Sequence, residues 1–544
     1  MELTRTNGAP RDGPRASQRD ELDELDDEHR VFDMDEAMTI IGFGPFQYQG
    51  IAVAGLLLSV DAMEMMLLSF LGPSVRCEFG ISKEEEALLT TVVFIGAMLG
   101  AYVCGVLADR FGRRYCLKWL STLTFILGFA SAFAPDFSSL VVIRGVMGIC
   151  LGGSSVGFSY LLELLPTKSR GRWGILIELF WTLGTMLEAG LAWIIFDTQQ
   201  SPGAWRTLLI ASSVPVLIAA LCFLCNAVPQ SPRFLATNGQ VDAAYQVLCR
   251  AARRNGKTLP ANGSLRDSHG SDSGHGGMGN PLQVFKILRV LFSRTFRVLT
   301  LFLWFIWFTN AFSYYGLVLM TTSLAVEHDT TTNSDEVELY CDPVTQSPFE
   351  TSNAFVSVFV ATAAELPGVL FAAYVVDTLG RKSSQSICFG GTCIALVAMF
   401  ALPISSTTDT ICLFFGRALI EAAFVLTYVY TPEVYPTTIR TTAFGLANAF
   451  SRVGGMVAPF IGQDLVERGD REMAIMIFAV FTGFAVLAAI LLPVETKGVA
   501  LADTPEDVDT RMGKIDPIME DEDEQARRVR VESDYEREQD LTIT

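Results

Sequence analysis

Eight ionisable side chains lie inside long apolar segments of this sequence, where they could bind a charged solute or exchange protons. These residues are Asp61, Glu64, Arg144, Glu178, Glu188, Glu365, Glu421 and Arg452. Because a charge buried in a membrane is costly, such residues by default mark a transport pathway or a proton relay. Asp61 and Glu64 are three residues apart, which places both on one face of a helix.

The segments that carry these residues are long and apolar enough to cross a bilayer. The 544 residues are 50% hydrophobic and only 18% charged, whereas soluble proteins have roughly 25% charged residues. A membrane helix needs about 20 apolar residues. Spans one to twelve are therefore predicted at 49–70, 87–108, 116–134, 138–162, 173–196, 206–228, 299–323, 352–376, 385–403, 411–431, 442–463 and 472–493.

The sequence thus predicts an all-α membrane protein of five parts. They are an acidic cytosolic tail at 1–47, a six-helix bundle at 48–228, a cytosolic, partly disordered linker at 229–298, a second six-helix bundle at 299–497 and a second acidic cytosolic tail at 498–544. The first tail holds 12 acidic and 5 basic residues and the second holds 15 and 6, so the tails carry −16 of the net charge of −19. The acidity therefore belongs to solvated ends, and no basic groove indicates nucleic acid as a partner.

Lys and Arg residues indicate which side of the membrane each loop faces. They concentrate after spans two, four, eight and ten and in the linker. By the positive-inside rule this side is cytosolic, and both termini lie on it. The loop 325–350 on the other side has seven acidic residues and neither Lys nor Arg. The basic exceptions on the outer side are Arg76, Lys83, Arg468 and Arg471.

The two halves of the sequence repeat one another in charged motifs. With an offset of 270 residues, Glu163 and Arg170 recur as Glu433 and Arg440. With an offset of 268 residues, Asp109, Gly112 and Arg113 recur as Asp377, Gly380 and Arg381. Arg144 in span four corresponds to Arg417 in span ten. Duplicated six-span halves around a midplane site are the architecture by which secondary transporters alternate access.

The first copy of one motif reads Gly105-x-x-x-Asp109-Arg110-x-Gly112-Arg113-Arg114. It resembles the loop signature of the major facilitator superfamily. The second copy departs from that signature at Ala373 and Thr378. The stretches 41–44, 61–66, 304–316 and 430–436 most resemble the synaptic-vesicle-protein-related group, near the organic ion and sugar porters. This resemblance, over about residues 35–498, implies twelve transmembrane helices in two pseudo-symmetric six-helix bundles, which is the major facilitator fold.

The resemblance also implies roles for the motif and for the buried charges. Asp109 ends span two, where the helix dipole disfavours an anion, and we expect it to contact the start of span eleven as a latch that shuts the cytosolic side. The alternative is that the motif's charges only set the topology. In proton-coupled sugar porters an Asp of span one pairs with an Arg of span four, which implies Asp61 as proton acceptor and Arg144 as its partner. Glu64 is an alternative acceptor, and a static buried ion pair is a further alternative.

Three expectations concern the ligand and the cysteines. Asn310 and Tyr314 are four residues apart in the aromatic span seven and are predicted to contact the solute. Arg452 resembles an Arg that faces the cavity in organic anion transporters, although six buried acids outnumber it. Cys77 and Cys341 lie in predicted outer loops and are a candidate disulfide.

Together these features predict a secondary transporter of a small organic ion or zwitterion, with the proton as the candidate coupling ion. We expect a monomer in the lipid bilayer of the plasma membrane or of an intracellular vesicle, with no cofactor and no metal. The alternative is a vesicle-membrane receptor or scaffold that no longer transports, but such a protein would lose its intramembrane charges. An enzyme is not indicated, because the chain has four His and neither a metal-ligand cluster nor a nucleophile motif.

Overall fold

The computed structural model describes residues 31–199, 201, 203–226, 228–260, 264–265, 287–294, 296–333, 352–436 and 439–497. Cys341 and most of the two tails lie outside these described residues, as does the Gly/Ser/His-rich part of the linker. Within the described ranges the chain is helical apart from one two-stranded parallel pairing, between Val31–Phe32 and Ser264–Leu265.

The six membrane helices of the first half follow one another with short connections. They are span one Pro45–Phe79, span two Lys83–Phe111, span three Arg113–Ser131, span four Phe137–Leu151 with Ser154–Leu164, span five Thr167–Leu176 with Glu178–Thr198, and span six Ala204–Leu224. Two short helices, Pro232–Thr237 and Val241–Arg254, follow span six.

The second half has the same arrangement. Its helices are span seven Arg297–Asn333, span eight Ser352–Ala363 with Glu365–Leu379, span nine Arg381–Ala401, span ten Ser406–Val434, span eleven Arg440–Pro459 continued by a π-helix at Phe460–Leu465, and span twelve Arg471–Leu491. Every predicted span falls on one of these helices. In the described part of the chain, ten helices are long and apolar enough to cross a membrane. Spans three and eleven are less apolar, because each contains at least two charged residues together with several Ser, Thr or Asn residues.

We call the end of the bundle that carries Arg113 and Arg381 the inner end and the opposite end the outer end, after the orientation that the loop charges predict. A small cluster covers the inner end of the first half. It contains the helix Met34–Ile41 and the linker helix Val241–Arg254. Asn255 accepts a hydrogen bond from the Phe46 N–H at 3.0 Å and donates to the Gln47 side chain at 2.7 Å. The linker therefore holds the start of span one.

Close glycine contacts set the positions of spans two, four, eight and ten. A Cβ atom on Gly148 of span four would lie 2.3 Å from the Val93 carbonyl oxygen of span two. A Cβ atom on Gly368 of span eight would lie 2.2 Å from the Ala418 carbonyl oxygen of span ten. Small residues let membrane helices approach backbone to backbone, where van der Waals packing holds them together. This packing carries two arginines into the interior, one on span four and one on span ten.

The helical hydrogen bonding of span eight is interrupted at Ala364, the residue before its buried acid, although Ala364 keeps helical φ and ψ angles of −62° and −24°. Its first segment ends at Ala363 and its second begins at Glu365. Pro367 has no N–H to donate to the Ala363 carbonyl, and a proline ring inside a helix crowds the carbonyl four residues before it. The interruption therefore lies at the level of Glu365, in the middle of the span.

Candidate functional site

Arg144 of span four forms an ion pair with Glu64 of span one inside the first half. Its Nη1 lies 2.8 Å from Glu64 Oε2, and the two side chains are 0% and 2% exposed. Nε and Nη2 of Arg144 have no hydrogen-bond partner among the described residues. Glu188 of span five lies beside this pair and accepts a hydrogen bond from the Ser212 hydroxyl at 2.8 Å.

The sequence predicted Asp61 as the partner of Arg144, and the structure corrects this pairing. Span one continues to Phe79 instead of ending near residue 70. Asp61 therefore lies about 27 Å from the outer end of its helix at 1.5 Å per residue, and not about 15 Å. Glu64 is one turn closer to the outer end and reaches Arg144.

Asp61 lies near the seam between the halves. It is only partly buried, approaches the Ser154 hydroxyl and interacts electrostatically with Arg452 of span eleven. Its Oδ2 atom is buried and has no hydrogen-bond partner in the part of the chain that the structure describes. Asp61 also lines a small pocket between spans one, three, four and six, together with Ser121 and Ser154. Asp61 is thus the less enclosed of the two acids of span one.

Arg417 of span ten forms the second buried ion pair, with Glu365 of span eight. Arg417 Nη2 lies 2.5 Å from Glu365 Oε1, and both side chains are 0% exposed. The same Oε1 accepts a hydrogen bond from the Tyr314 hydroxyl at 3.1 Å. Oε2 accepts one from the Thr185 hydroxyl at 3.0 Å, and Trp181 Nε1 donates to the Tyr314 hydroxyl at 2.7 Å. Since Trp181 and Thr185 belong to span five, this network joins the two halves.

Sequence reasoning missed Trp181 and Thr185, although a signal for them was present. Glu178, Trp181, Thr185 and Glu188 are spaced by three, four and three residues. This spacing places all four on one face of span five. A polar stripe along an otherwise apolar helix indicates a face turned towards other polar groups, and both acids of the stripe were among the predicted site residues.

Arg452 lies between the two halves among acids and aromatic rings. It interacts electrostatically with Asp61 of span one, Tyr315 of span seven and Tyr428 of span ten. Its Nε atom has no hydrogen-bond partner among the described residues. Nearby, a Cβ atom on Gly455 would lie 2.6 Å from the Phe94 ring of span two, so span eleven touches the first half here.

Two buried acids complete this central region. Glu421 of span ten is 3% exposed and Glu178 of span five is 9% exposed. The charge of each acid acts on the other, and the Glu365 charge also acts on Glu421. The structure therefore brings together nine of the ten predicted substrate or coupling residues in three neighbouring groups, around Arg144, Arg417 and Arg452.

Asn310 is the predicted ligand contact that lies apart from these groups. Its side-chain amide donates to the Thr427 hydroxyl at 2.8 Å, and Asn310 is fully buried. Tyr314, the other predicted contact, is also buried and is engaged by Trp181 and Glu365. Both side chains thus contact protein groups in this structure.

The repeated loop motifs form matching charge clusters at the inner end. Arg113 lies 3.1 Å from both Asp109 and Glu163. Arg381 lies 3.0 Å from Glu433 and 3.8 Å from Asp377. Gly112 and Gly380 have φ angles of +93° and +87°, where a side chain would be strained. These glycines let the chain turn from span two into span three and from span eight into span nine.

The remaining motif residues have local partners. The Arg114 N–H donates to Gln230 at 3.1 Å, Arg110 lies over the Phe111 ring, and Arg440 Nε donates to the Tyr435 carbonyl at 3.1 Å. Nothing lies within 4 Å of a Cβ atom built on Gly105. The Arg170 side chain is outside the described part of the structure.

The expected latch between Asp109 and span eleven is not formed within the described residues. Asp109 is 42% exposed, and its one ion pair there is with Arg113. The physical reason is at the other end of the molecule, where contacts between the halves join their outer ends and leave these inner groups exposed.

Polar side chains of spans one, two and eleven form the outer contacts. Arg76 pairs with Glu86 at 3.2 Å and with Glu467 of the second half. The other contacts there are Lys83 with the Glu467 carbonyl, Gln463 with Glu86, and Arg468 with Glu84 and Asp464. The basic residues that stood out as exceptions on the outer side are thus paired, including Arg471, which lies 3.0 Å from Asp409.

Aromatic contacts between spans five and eight extend this closure. Phe355 stacks with Phe196 at a centroid distance of 5.9 Å, and Trp193 packs on Phe359 at 6.3 Å. Cys77, at the outer end of span one, is disulfide-bonded. Its pairing with Cys341 stays a prediction, because Cys341 lies outside the described ranges.

Comparisons with known proteins agree with this architecture. A family model described as "Sugar (and other) transporter" matches residues 57–507. The chain is 36% identical over 501 residues to organic cation/carnitine transporter 7 of Arabidopsis thaliana, covering 87% of this chain and 96% of that protein. It is 38% identical over 480 residues to the synaptic vesicle 2-related protein of Xenopus laevis, covering 87% and 83%.

A solved structure has the same fold. The partially occluded, inward open conformation of the xylose transporter XylE from E. coli superposes with a TM-score of 0.63, at 18% sequence identity. The match covers 84% of this chain and 100% of that chain. At this identity the likeness concerns the fold alone.

Proposed function

Because the chain belongs to the sugar (and other) transporter family of the major facilitator superfamily, we propose that this multi-pass membrane protein is a proton-coupled secondary transporter of a zwitterionic organic ion. The observation that carries the proposal is the position of Arg452 between the halves, among Asp61, Tyr315 and Tyr428. Alternating access would expose this region to each side of the membrane in turn.

The mixed charge of the central region suits a solute with both signs. A guanidinium binds a carboxylate strongly, in charge-assisted hydrogen bonds. The acids Glu178 and Glu421 attract a cation, and the faces of Tyr315 and Tyr428 offer cation–π contacts to a quaternary ammonium group. Carnitine, which the name of the Arabidopsis relative mentions, combines a carboxylate with a trimethylammonium group and is therefore the first substrate to test.

The electrostatic interaction between Asp61 and Arg452 provides a route for coupling to protons. When a substrate carboxylate takes the Arg452 guanidinium, Asp61 loses the cation that it faces. A buried carboxylate without a nearby cation takes up a proton more readily. Substrate and proton would then bind together and leave together, which is the requirement for symport.

The scaffold alternative is not favoured. A protein that no longer transports has no reason to keep unpaired charges at membrane depth, where they are costly. This chain keeps Asp61, Glu178, Glu421 and Arg452 in its interior, outside the two closed ion pairs.

Transport by the purified protein in liposomes tests the proposal. Labelled carnitine should accumulate when the outside is acidic, and collapsing the pH gradient should stop accumulation. Arg452→Gln should raise the KM for carnitine at least about tenfold, the value of one charge-assisted contact, and should change choline uptake less. Arg253→Gln, at an exposed arginine of the linker helix, is the matched control. Equal effects of Arg452→Gln on carnitine and choline would refute recognition of the carboxylate by this residue.

A further inference from the structure

Like Glu86 near the outer end, the more deeply placed buried acid Glu365 is reached by hydrogen-bond donors from both halves. From its own half come Arg417 and the Tyr314 hydroxyl, both on Oε1. From the first half comes the Thr185 hydroxyl on Oε2. Trp181, also in the first half, donates to Tyr314 and so supports the network indirectly.

These contacts are the deepest members of a series in which span five contacts span eight and, at its inner end, span seven. From the outer end inwards, the series consists of Phe196 with Phe355, Trp193 with Phe359, Thr185 with Glu365, and Trp181 with Tyr314. Opening the outer side must separate the aromatic pairs first and then the Thr185–Glu365 hydrogen bond. The interruption of helical hydrogen bonding in span eight lies at this level, at Ala364.

We infer that Glu365 is a proton-binding site that controls opening of the outer side, a role separate from substrate recognition at Arg452. This inference rests on the alternating access of the proposed function. The ionised carboxylate accepts all three donors and holds the halves together. When a proton from the outer water binds to Oε2, the charge that attracts Arg417 is lost and that oxygen becomes a donor. The outer contacts then loosen, and the proton returns to the outer water when the outer side closes again, so that Glu365 moves no net proton across the membrane.

Other titratable or charged groups face Glu365 and influence how readily it binds a proton. They are Arg417 and Glu421 from span ten, Tyr314 from span seven, and Glu178 from span five, which acts through Glu421. Glu421 also interacts electrostatically with Arg417.

Thiol labelling in the absence of substrate tests this role. Ala361→Cys places a small, buried reporter one turn outward of Glu365 on the same helix face, and the protein without this cysteine is the blank. Labelling by an impermeant reagent from the outer side should rise as the outer pH falls. Glu365→Gln should give high labelling at every pH, whereas Asp61→Asn should keep the pH dependence.

A matched pair of threonines separates the hydrogen bond from general packing. Thr185→Val removes the cross-half donor and should move the midpoint of the labelling curve upward by about one pH unit. Thr182→Val, on the same helix, changes an equally buried hydroxyl that has no hydrogen-bond partner in the described residues, and should leave the midpoint unchanged. Equal shifts for the two variants, or pH-dependent labelling that persists in Glu365→Gln, would overturn the inference.

The labelling experiment needs no transported solute, so its outcome is independent of the substrate proposal. Absence of carnitine uptake together with pH-dependent labelling that Glu365→Gln abolishes would reject the substrate and keep the switch. Normal proton-driven uptake by Glu365→Gln would reject the switch and keep the transporter.

Discussion

The two buried arginine pairs occupy equivalent places in the repeated halves but are built differently. Arg144 and Arg417 lie at corresponding positions of spans four and ten, yet Arg144 takes its carboxylate from span one and Arg417 takes its carboxylate from span eight. In the repeat, span one corresponds to span seven and span eight corresponds to span two. The internal duplication therefore preserved the arginines and not their partners.

The surroundings of the pairs differ in the same way. Glu64 accepts a hydrogen bond from Arg144 alone among the described donors, and both residues belong to the first half. Glu365 accepts from Arg417, Tyr314 and Thr185, and the last of these belongs to the other half. A pair inside one half moves as part of a rigid bundle, whereas a pair with a contact across the seam can respond when the bundles rock. Equivalent positions in a repeat can thus carry a structural and a switching role.

Replacing either buried arginine should cause the largest loss of stability, and the loss should differ between the two halves. Truncating one partner of a buried pair costs about 3–5 kcal/mol, because it strands a charge. Arg144→Ala should be the more damaging change, since it leaves Glu64 with no described donor, whereas Arg417→Ala leaves Glu365 with two hydroxyl donors. Thermal unfolding in detergent measures the order, and a larger loss for Arg417→Ala would contradict it.

Replacing each acid of span one in turn should distinguish a role in stability from a role in proton coupling. Asp61→Asn should abolish accumulation driven by a proton gradient, lowering the inside-to-outside ratio to about one, and should spare exchange of labelled for unlabelled substrate. Exchange is spared because it needs no net proton movement. Glu64→Gln should lower the melting temperature, because Arg144 loses its ion-pair partner. A protein with Asp61→Asn that still concentrates substrate in response to pH would exclude Asp61 as the coupling site.

Removing one hydroxyl donor should lower stability less, and it tests one hydrogen bond at a time. Ser212→Ala removes the donor to Glu188 inside the first half, and Thr185→Val removes the donor to Glu365 across the seam. Each hydrogen bond to a charged group contributes about 1.5–3 kcal/mol. Both variants should lower the melting temperature, but only Thr185→Val should change labelling of the outer side. A labelling change in Ser212→Ala would mean that any loosened helix opens the protein.

The motif acids at the inner end should show the smallest effect on stability. Asp109 is 42% exposed and Asp377 is 80% exposed, and exposed ion pairs contribute about 0–1 kcal/mol. Asp109→Asn should therefore melt close to the wild type. If Asp109 holds the inner side shut in the opposite state, thiol labelling from the inner side should rise in Asp109→Asn and stay unchanged in Asp377→Asn. Unchanged labelling in both variants would leave Asp109 a determinant of topology.

Local patterns in the sequence were enough to predict the helices and their repetition. Hydrophobicity over about 20 residues located every span, because a helix satisfies its own backbone and only its side chains must match the lipid. The repeated motifs place Arg113 and Arg381 at equivalent positions, and the structure gives them equivalent ion pairs, with Glu163 and Glu433.

The partners of the deep charges were decided by the tertiary structure. The position of Arg144 in an apolar segment indicates that this residue is buried. Which acid pairs with Arg144 depends on the height and rotation of span one, which continues nine residues past the predicted end to Phe79. It depends as well on glycine contacts such as Gly148 against Val93, which set how deeply span four lies. The link from Thr185 to Glu365 joins residues 180 positions apart. No local periodicity specifies such a contact, because it exists only when two separately folded bundles meet.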